Sequence, residues 1–289
     1  MVSIIIPARN EQFLQQTIDS IIEKANGNYE ILVGLDGYWP KPSLKNHPNV
    51  IIYHTSEPIG MRRMINSLVR ISKGDVLMKI DGHCIVSKRF DTRLNSICED
   101  GMICVPRQFS LDPISWKPNK RKRFVDYWFL SAPTIHLPEE ERGANNRGFI
   151  AKRWWTYNGP GKDDMIDDLM TFQGSFWCMT RKHFDDMEIA SPDSVMNFSY
   201  EGTELALKTW LSGGRVIIAK KIWYAHLHKG KAFPRGFRKG RRTTIESAEY
   251  CMRMFLGKQW PKAVRDVKWL VDKFGPVPTW ENFDWSYEW

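Results

Sequence analysis

The first hundred residues alternate between apolar runs and helical periodicity. The opening segment Val2–Ile6 lacks the polar alternation of a half-exposed strand, which favours a strand buried on both faces. Apolar residues then recur at helical spacing from Phe13 to Ile22. The same unit returns as predicted strands at 29–35, 50–54 and 75–80, with a predicted helix at 61–71. This order predicts an α/β fold, a Rossmann-like and mostly parallel central sheet flanked by helices.

The pattern beyond residue 100 is weaker but still predicts several elements. Apolar segments at 102–106, 172–179 and 215–219 are typical of strands, and residues 201–214 predict a helix closed by a double glycine. A final amphipathic helix is expected from Pro261 to Gly275 as a C-terminal helical extension. The acidic run at 163–168 is interpreted as a solvated loop.

Composition indicates an ordinary globular protein with basic character. The 289 residues are 42% hydrophobic, carry a formal charge of +9 and include thirteen tryptophans. Basic surface attracts anions, so this composition is compatible with an anionic binding partner. There is no apolar run of about eighteen residues, and the chain enters a strand at once, so no membrane span and a soluble, cytoplasmic location are expected. The five cysteines form no CxxC pair, which favours reduced thiols.

Polar residues follow each predicted strand of the first half. They are "PARNE" after the first, "LDG" after the second, "EPIGMRR" after the third and "DGH" after the fourth. Ligands of open α/β sheets bind at the carboxyl ends of the strands, so these segments should converge on one crevice. Neither GxGxxG nor GxxxxGK[ST] occurs there, which argues against a dinucleotide fingerprint and a P-loop.

Asp81 and His83 stand two residues apart directly after the fourth strand. An oxygen and a nitrogen ligand at this spacing suit Mn²⁺ or another divalent ion such as Mg²⁺, provided that a third ligand joins them. A DxH segment alone is more often a capped turn with a packed histidine. Its meaning therefore depends on the surrounding segments.

The order of these segments resembles the GT-A glycosyltransferases, in particular family 2 and the polypeptide N-acetylgalactosaminyltransferases. The resemblance rests on four motifs: "VSIIIPARNEQ" with "TIDSII", then "IGMRRMINSLVRISKGDVLMKIDGHC", "QGSFWCMTRKHF" and "YEGTELALKTWLSGGRVI". It covers residues 1–230, with a nucleotide-sugar half at 1–100 and a metal and acceptor half at 101–230. Residues 231–289 form a basic lid-like loop and the helical extension.

The resemblance implies a glycosyltransferase that moves a hexosyl or N-acetylhexosaminyl group from a nucleotide-diphosphate sugar, with UDP as the expected nucleotide, to an acceptor hydroxyl. It implies that Asp81 and His83 hold the metal against the diphosphate. A later histidine completes such sites, which places His226 as the third ligand and His228 as its competitor. The DGH motif favours the N-acetylgalactosaminyltransferase-like subgroup, which retains configuration whereas family 2 inverts, so the stereochemical outcome stays open.

The resemblance also assigns further side chains to the donor and acceptor. Glu201 would face the sugar or the acceptor hydroxyl, as a general base or as a hydrogen-bonding group, and Glu204 would support it. Both are otherwise ordinary acids of a helix start. Trp177 would stack on a sugar ring unless it is a core residue. The donor-binding residues expected around the nucleoside and diphosphate are Pro7, Ala8, Arg9, Glu11, Asp36, Arg62 and Arg63.

Two basic segments bear on the acceptor, which is a glycan, a small molecule or modified DNA. Residues 229–242 contain seven basic residues and no acidic one, and the segment is expected to close over the donor with Lys229, Lys231 or Arg235 near the phosphates. Together with the basic loop 117–123 it allows an alternative, sugar transfer to a hydroxyl-bearing base in DNA. A second alternative is a non-catalytic nucleic-acid-binding protein on a degenerate transferase fold.

Overall fold

The computed structural model describes residues 1–134, 148–187, 200–230, 233–237 and 241–286, with only the backbone described for 241–244. Within these ranges, no helix combines the length and the apolar character that crossing a membrane requires. A mixed ten-stranded sheet forms the centre, and helices cover both of its faces.

The first eighty residues fold as the apolar pattern predicts. Strand β1 (Val2–Ala8) is followed by α1 (Leu14–Lys24), β2 (Tyr29–Asp36), β3 (Val50–Thr55), α2 (Met61–Ile71) and β4 (Val76–Ile80). Strand β1 pairs in parallel with both β2 and β4, and β2 pairs in parallel with β3. The carboxyl ends of these four strands therefore lie at the same edge of the sheet.

The later elements extend this sheet. In chain order they are β5 (Cys84–Val86), α3 (Phe90–Asn95), β6 (Met102–Asp112), β7 (Lys117–Pro118), β8 (Trp128–Leu130), β9 (Ala151–Arg153), β10 (Ile166–Asp168), β11 (Phe176–Thr180), α4 (Arg181–Met187), α5 (Glu201–Leu211), β12 (Arg215–His226), α6 (Arg241–Phe255) and α7 (Val267–Phe274). Strand β11 runs antiparallel between β4 and β6, whereas β12 is parallel to β6. The principal order is β10-β12-β6-β11-β4-β1-β2-β3.

Three elements differ from the sequence predictions. Part of the acidic run is not a solvated loop, because β10 pairs with β12 and Asp167 is buried against Tyr127. Helix α7 starts at Val267 rather than at Pro261, since the Asp266 carboxylate accepts the backbone N–H of Trp269 and caps the helix there. Helix α6, over Arg241–Phe255, was not predicted.

The core lies on both faces of the sheet, which explains the continuous apolar character of β1. Ile5 faces one hydrophobic cluster, while Ile4 and Ile6 face the other. The first cluster contains the buried apolar residues of α2, α5 and α7, and the second contains those of α1. A strand covered on both faces needs no polar alternation.

Candidate active site

A cavity of about 440 Å³ opens at the carboxyl ends of the parallel strands. Its volume falls in the range of roughly 300–1,000 Å³ that is usual for small-molecule sites. Ala8, Asp36, Gly60 and Asp81 line it, so each of the four polar segments predicted to converge contributes to its wall. We refer to this cavity as the crevice.

Three potential metal ligands meet in the crevice. Asp81 follows β4, His83 lies in the turn after it, and His226 is the last residue of β12. The Nε2 atoms of His83 and His226 are 3.0 Å apart, and the Oδ2 atom of Asp81 lies 3.9 Å and 3.4 Å from them. One potential ligand atom from each of the three residues lies within 4.8 Å of those of the other two. Burial lowers the pKa of His226 to about 4, so its ring is neutral at neutral pH.

Neighbouring charges orient two of these ligands. The Oε2 atom of Glu11 lies 2.9 Å from Nδ1 of His83, and because an ionised carboxylate only accepts, Nδ1 is the donor. This arrangement leaves Nε2 of His83 to face the crevice. On the other side, Nζ of Lys79 donates to Oδ1 of Asp81 at 2.7 Å, so Oδ2 is the oxygen that faces the histidines.

Lys79 is a buried cation in the floor of the crevice, with a 1% exposed side chain. Besides Asp81, its ammonium group donates to the carbonyl oxygen of Gly174 at 2.6 Å and to Oε2 of Glu201 at 3.2 Å. Burial acts to lower the pKa of Lys79, but the carboxylates of Asp81 and Glu201 outweigh it and raise the pKa. Conversely, burial acts to raise the pKa of Asp81, and Lys79 with the two histidines holds it well below its usual range.

Glu201 is the first residue of α5 and lines the crevice. Its Oε1 atom accepts the indole N–H of Trp177 at 2.6 Å, and its Oε2 atom accepts from Lys79. Trp177 is itself fully buried, packs on Phe184 and does not line the crevice, which is the core position that the sequence left open as the alternative to stacking on a sugar. Its role in the site is to hold Glu201.

Glu204, Arg62 and Arg63 do not line the crevice. Glu204 is fully buried and forms ion pairs with Arg62 and, at 2.8 Å, with Lys208. Arg62 is buried in the same pair, and Arg63 is exposed on α2. Glu204 therefore supports α5 from behind Glu201 and cannot contact a substrate. Neither arginine lines the crevice, because α2 turns Arg62 into the core and leaves Arg63 exposed, and their expected contact with a donor stays a prediction.

Another part of the crevice is lined by residues expected around a nucleoside. Pro7, Ala8 and Arg9 line it, and Arg9 lies 5.5 Å from the ring of Phe237 across the opening. The Asp36 carboxylate accepts the backbone N–H of Ile59 at 2.6 Å and that of Gly60 at 3.2 Å, so it also fixes the start of α2.

His228 and the basic segment lie around the rim. The Nε2 atom of His228 is 3.1 Å from Nη2 of Arg153, outside the three-ligand cluster, so the structure groups His226 rather than His228 with Asp81. Lys229 donates to Oε1 of Glu11 at 2.9 Å and lines the crevice with Arg235. Lys231, also expected near the phosphates, lies outside the described residues.

Sequence reasoning missed the most central cation of the site. A lysine in a strand ordinarily indicates a solvent-facing position. Lys79 is enclosed by Gly174 and Glu201, which come much later in the sequence. A usable signal exists, since Lys79 and Asp81 alternate onto the same side at the end of a buried strand. Glu11, expected as an alternative to Arg9 to reach the nucleoside, lines the crevice, and its carboxylate contacts His83, Lys229 and the backbone N–H of Phe13.

Comparison with known proteins defines the class. Residues 3–186 match the family described as "Glycosyl transferase family 2", and since this span is more than half of the chain, the protein belongs to that family. Its structural neighbours are GT-A glycosyltransferases, which confirms the expected fold class.

Three individual proteins resemble this chain over most of its length. The chain is 25% identical over 214 residues to "Probable N-acetylgalactosaminyltransferase 8" of Caenorhabditis elegans, covering 72% of this chain and 47% of the relative, so it spans about half of that protein's length. It superposes on a crystal structure of GalNAc-T7 with UDP, GalNAc and Mn²⁺ with a TM-score of 0.67 at 14% identity, covering 94% of this chain and 56% of the other. For S. aureus TarS 1-349 in complex with UDP-GlcNAc the TM-score is 0.56 at 11% identity, with coverages of 93% and 69%.

Proposed function

We propose that this protein transfers an N-acetylhexosamine residue from a UDP-linked donor to a hydroxyl group, with Mn²⁺ or Mg²⁺ bound by Asp81, His83 and His226. The observation that carries the proposal is the meeting of one carboxylate oxygen and two imidazole nitrogens at the carboxyl end of β4 and β12. Relatives described with UDP, GalNAc, UDP-GlcNAc and Mn²⁺ support the choice of nucleotide, sugar and metal.

The chemistry of the three side chains fits such an ion. A mixed set of carboxylate and imidazole ligands suits Mn²⁺, and three protein ligands leave coordination positions for diphosphate oxygens. Glu11 and Lys79 fix the orientation of His83 and Asp81, as hydrogen-bonding partners of metal ligands commonly do. When bound, the ion neutralises the negative charge that develops on the departing diphosphate.

Different parts of the crevice would bind the nucleoside, the diphosphate and the sugar of the donor. In this proposal the nucleoside lies against Pro7, Ala8 and Arg9, with Asp36 directed to its polar edge. The diphosphate lies toward the metal ligands, where Lys229 and Arg235 add positive charge at the rim. The sugar then occupies the part of the crevice next to Gly174 and Glu201. A side chain at Gly174 would crowd that position, because a Cβ atom there would lie 3.0 Å from Oε2 of Glu201.

Transfer forms a bond between the acceptor oxygen and the anomeric carbon of the sugar and breaks the bond from that carbon to the diphosphate oxygen. UDP leaves with the bonding electron pair. Both oxygens of Glu201 already accept hydrogen bonds, from Trp177 and Lys79, which favours a hydrogen-bonding role toward the sugar over that of general base. The acceptor proton then goes to an oxygen of the departing diphosphate, and the sugar retains its configuration.

A donor panel tests the proposal. The purified protein is incubated with Mn²⁺ and, in turn, UDP-GalNAc, UDP-GlcNAc, UDP-glucose and UDP-galactose, and UDP release by slow donor hydrolysis is measured. We expect release from one of the N-acetylhexosamine donors, and its loss when EDTA is added and recovery with excess Mn²⁺. Release that is insensitive to EDTA would contradict the metal site. Absence of both UDP release and Mn²⁺-dependent UDP binding would overturn the proposed function.

A further inference from the structure

A basic and aromatic surface lies beside the crevice and has no part in the donor site. The loop 117–123 contains five basic residues and no acidic one, and all five are exposed. Next to them stand the exposed rings of Phe124 and Trp155 and the exposed guanidinium of Arg153. We call residues 117–124 together with Arg153 and Trp155 the basic-aromatic surface.

This surface is continuous with the crevice through β9. Ile150 and Ala151 line the crevice, and two residues further on Arg153 is exposed on the basic-aromatic surface. The guanidinium of Arg153 contacts His228 at 3.1 Å, and the ring of His228 lies 4.8 Å from the ring of His226. A polymer held on the surface would therefore present its neighbouring groups at the mouth of the crevice.

The surface combines cations with ring area. The guanidinium carbon of Arg123 lies 5.0 Å from the ring of Trp155 and that of Arg153 lies 5.8 Å from it, while Arg107 lies 4.0 Å from the ring of Phe124. Trp155 is nevertheless 39% exposed and Phe124 is 38% exposed, so ring area remains for a ligand. Exposed aromatic rings among clustered cations are the arrangement that binds single-stranded nucleic acids, through base stacking and phosphate contacts.

We propose that the basic-aromatic surface binds a single-stranded nucleic acid and delivers one of its bases, already carrying a hydroxyl substituent, to the crevice as the acceptor. This inference rests on the proposed function, because it names the acceptor of that reaction. A single strand is favoured over a duplex, since a paired base would first have to be flipped out of its stack, at the cost of unstacking and unpairing. The new bond joins the base hydroxyl oxygen to the anomeric carbon, UDP departs with the electron pair, and the hydroxyl proton goes to a diphosphate oxygen.

The test measures binding alone, without donor or metal. Fluorescence anisotropy with a labelled single-stranded DNA of about twenty nucleotides, titrated between about 50 and 200 mM salt, gives the affinity and its salt slope. Lys120→Ala combined with Lys122→Ala should reduce the slope by about 1.4, since each single-strand phosphate contact contributes about 0.7. Lys258→Ala with Lys268→Ala removes two exposed charges outside the basic-aromatic surface and should leave affinity and slope unchanged.

Stacking is tested separately from charge. Trp155→Ala should weaken binding at least about fivefold, and Trp155→Phe, which keeps a ring, should restore most of it. Equal loss in the two double-lysine variants overturns the inference, as does the absence of DNA binding at low salt. If heparin competes on equal terms and Trp155→Ala has no effect, the surface recognises charge only and the nucleic-acid acceptor is wrong. UDP release with Mn²⁺, measured on the same preparations, separates these failures from failure of the proposed function.

Discussion

His83 and His226 face each other across the crevice with their Nε2 atoms 3.0 Å apart, although 142 residues separate them along the chain. One of the two nitrogens must donate a proton to the other in this contact. A divalent ion, if held by these two histidines and Asp81, would take the place of that hydrogen bond. The contact between His83 and His226 is therefore one that metal binding would alter.

The first prediction concerns His226. His226→Ala should lower Mn²⁺-dependent UDP release by at least about 100-fold, because loss of a direct ligand should cost no less than the 10–100-fold typical of residues that only support one. His228→Ala serves as the matched control and should keep its Mn²⁺ dependence. Calorimetric Mn²⁺ titration of both variants provides the measurement. The opposite ranking of the two variants would place His228 in the site instead.

The second prediction concerns Lys79. Lys79→Met should reduce the free energy of unfolding by about 3 kcal/mol, because it leaves Asp81 and Glu201 buried without their cation. Mn²⁺ should raise the melting temperature of this variant more than that of the wild type, since the ion replaces the lost positive charge beside Asp81. Lys208→Met, which breaks the buried pair with Glu204 outside the crevice, should be destabilised without this recovery. Equal Mn²⁺ effects in the two variants would argue against a metal beside Lys79.

The third prediction concerns Asp36. Asp36→Ala should raise the KM for the UDP-sugar about tenfold with a smaller change in kcat, because a contact to the nucleoside is made equally in the ground state and the transition state. Asp36→Asn keeps an acceptor for the backbone N–H of Ile59 and should separate the donor contact from the anchoring of α2. Initial-rate kinetics provide both constants. A loss confined to kcat would contradict the nucleoside role.

The fourth prediction concerns the segment 228–242, which we expect to act as a lid. Its described part already reaches over the crevice, where the Gly236 carbonyl accepts from the Asn10 side chain at 2.9 Å. Trypsin should cut at Lys229 or Arg235 in the free protein, and UDP with Mn²⁺ should slow that cleavage severalfold. Cleavage in the exposed loop 117–123 provides an internal control and should not change. Protection by DNA in the absence of nucleotide would contradict a donor lid.

The fifth prediction concerns the stability contributed by Asp168. Its carboxylate pairs with Lys273 at 2.6 Å and with Arg215 at 2.5 Å. Burial acts to raise the pKa of Asp168, but the two cations outweigh it and lower the pKa below its usual 3.8. A lowered folded-state pKa means that the contribution is present above the unfolded value and is lost as the pH falls through the folded value.

Asp168→Asn should therefore be less stable than the wild type at pH 7, by about 1 kcal/mol for a partly exposed pair. The difference should begin to narrow as the pH falls below about 3.8 and should close below the lower folded-state pKa, where the wild-type carboxylate is also protonated. Urea denaturation at several pH values measures this difference. Asp163→Asn, at an exposed position of the same acidic run, should match the wild type throughout. A difference that does not depend on pH would assign the effect to packing.

Local patterns were sufficient for the first half of the fold. Strand β1 and helix α1 follow from the apolar spacing alone, and the strand ends place Asp36 and Asp81 at one edge without further information. Helix α6 was missed because the clustered cations before it favour a loop, whereas its buried side, including Ala248 and Cys251, packs on the core that α5 and α7 also form.

The details of the site depended on contacts between distant segments. His226 and His228 would lie on the same side of an extended chain, so their spacing alone could not show which of them joins the metal-ligand cluster. The structure distinguishes them because β12 ends at His226. Trp177 was open between core and crevice, and Glu204 between a support for Glu201 and an ordinary acid of a helix start. Their partners, Phe184 and Arg62, are set by how β11 and α2 pack around α5.

The buried ion pair between Arg62 and Glu204 joins α2, in the half of the chain that would bind the nucleotide, to α5, in the half that would bind sugar and acceptor. The pair lies behind the crevice, and β4 and β11 run side by side beneath it. The ion pair and the paired strands thus connect the two halves behind the crevice, which opposes a hinge motion that would separate them. Entry and release must then depend on the rim, where Lys229, Arg235, Gly236 and Phe237 line the crevice.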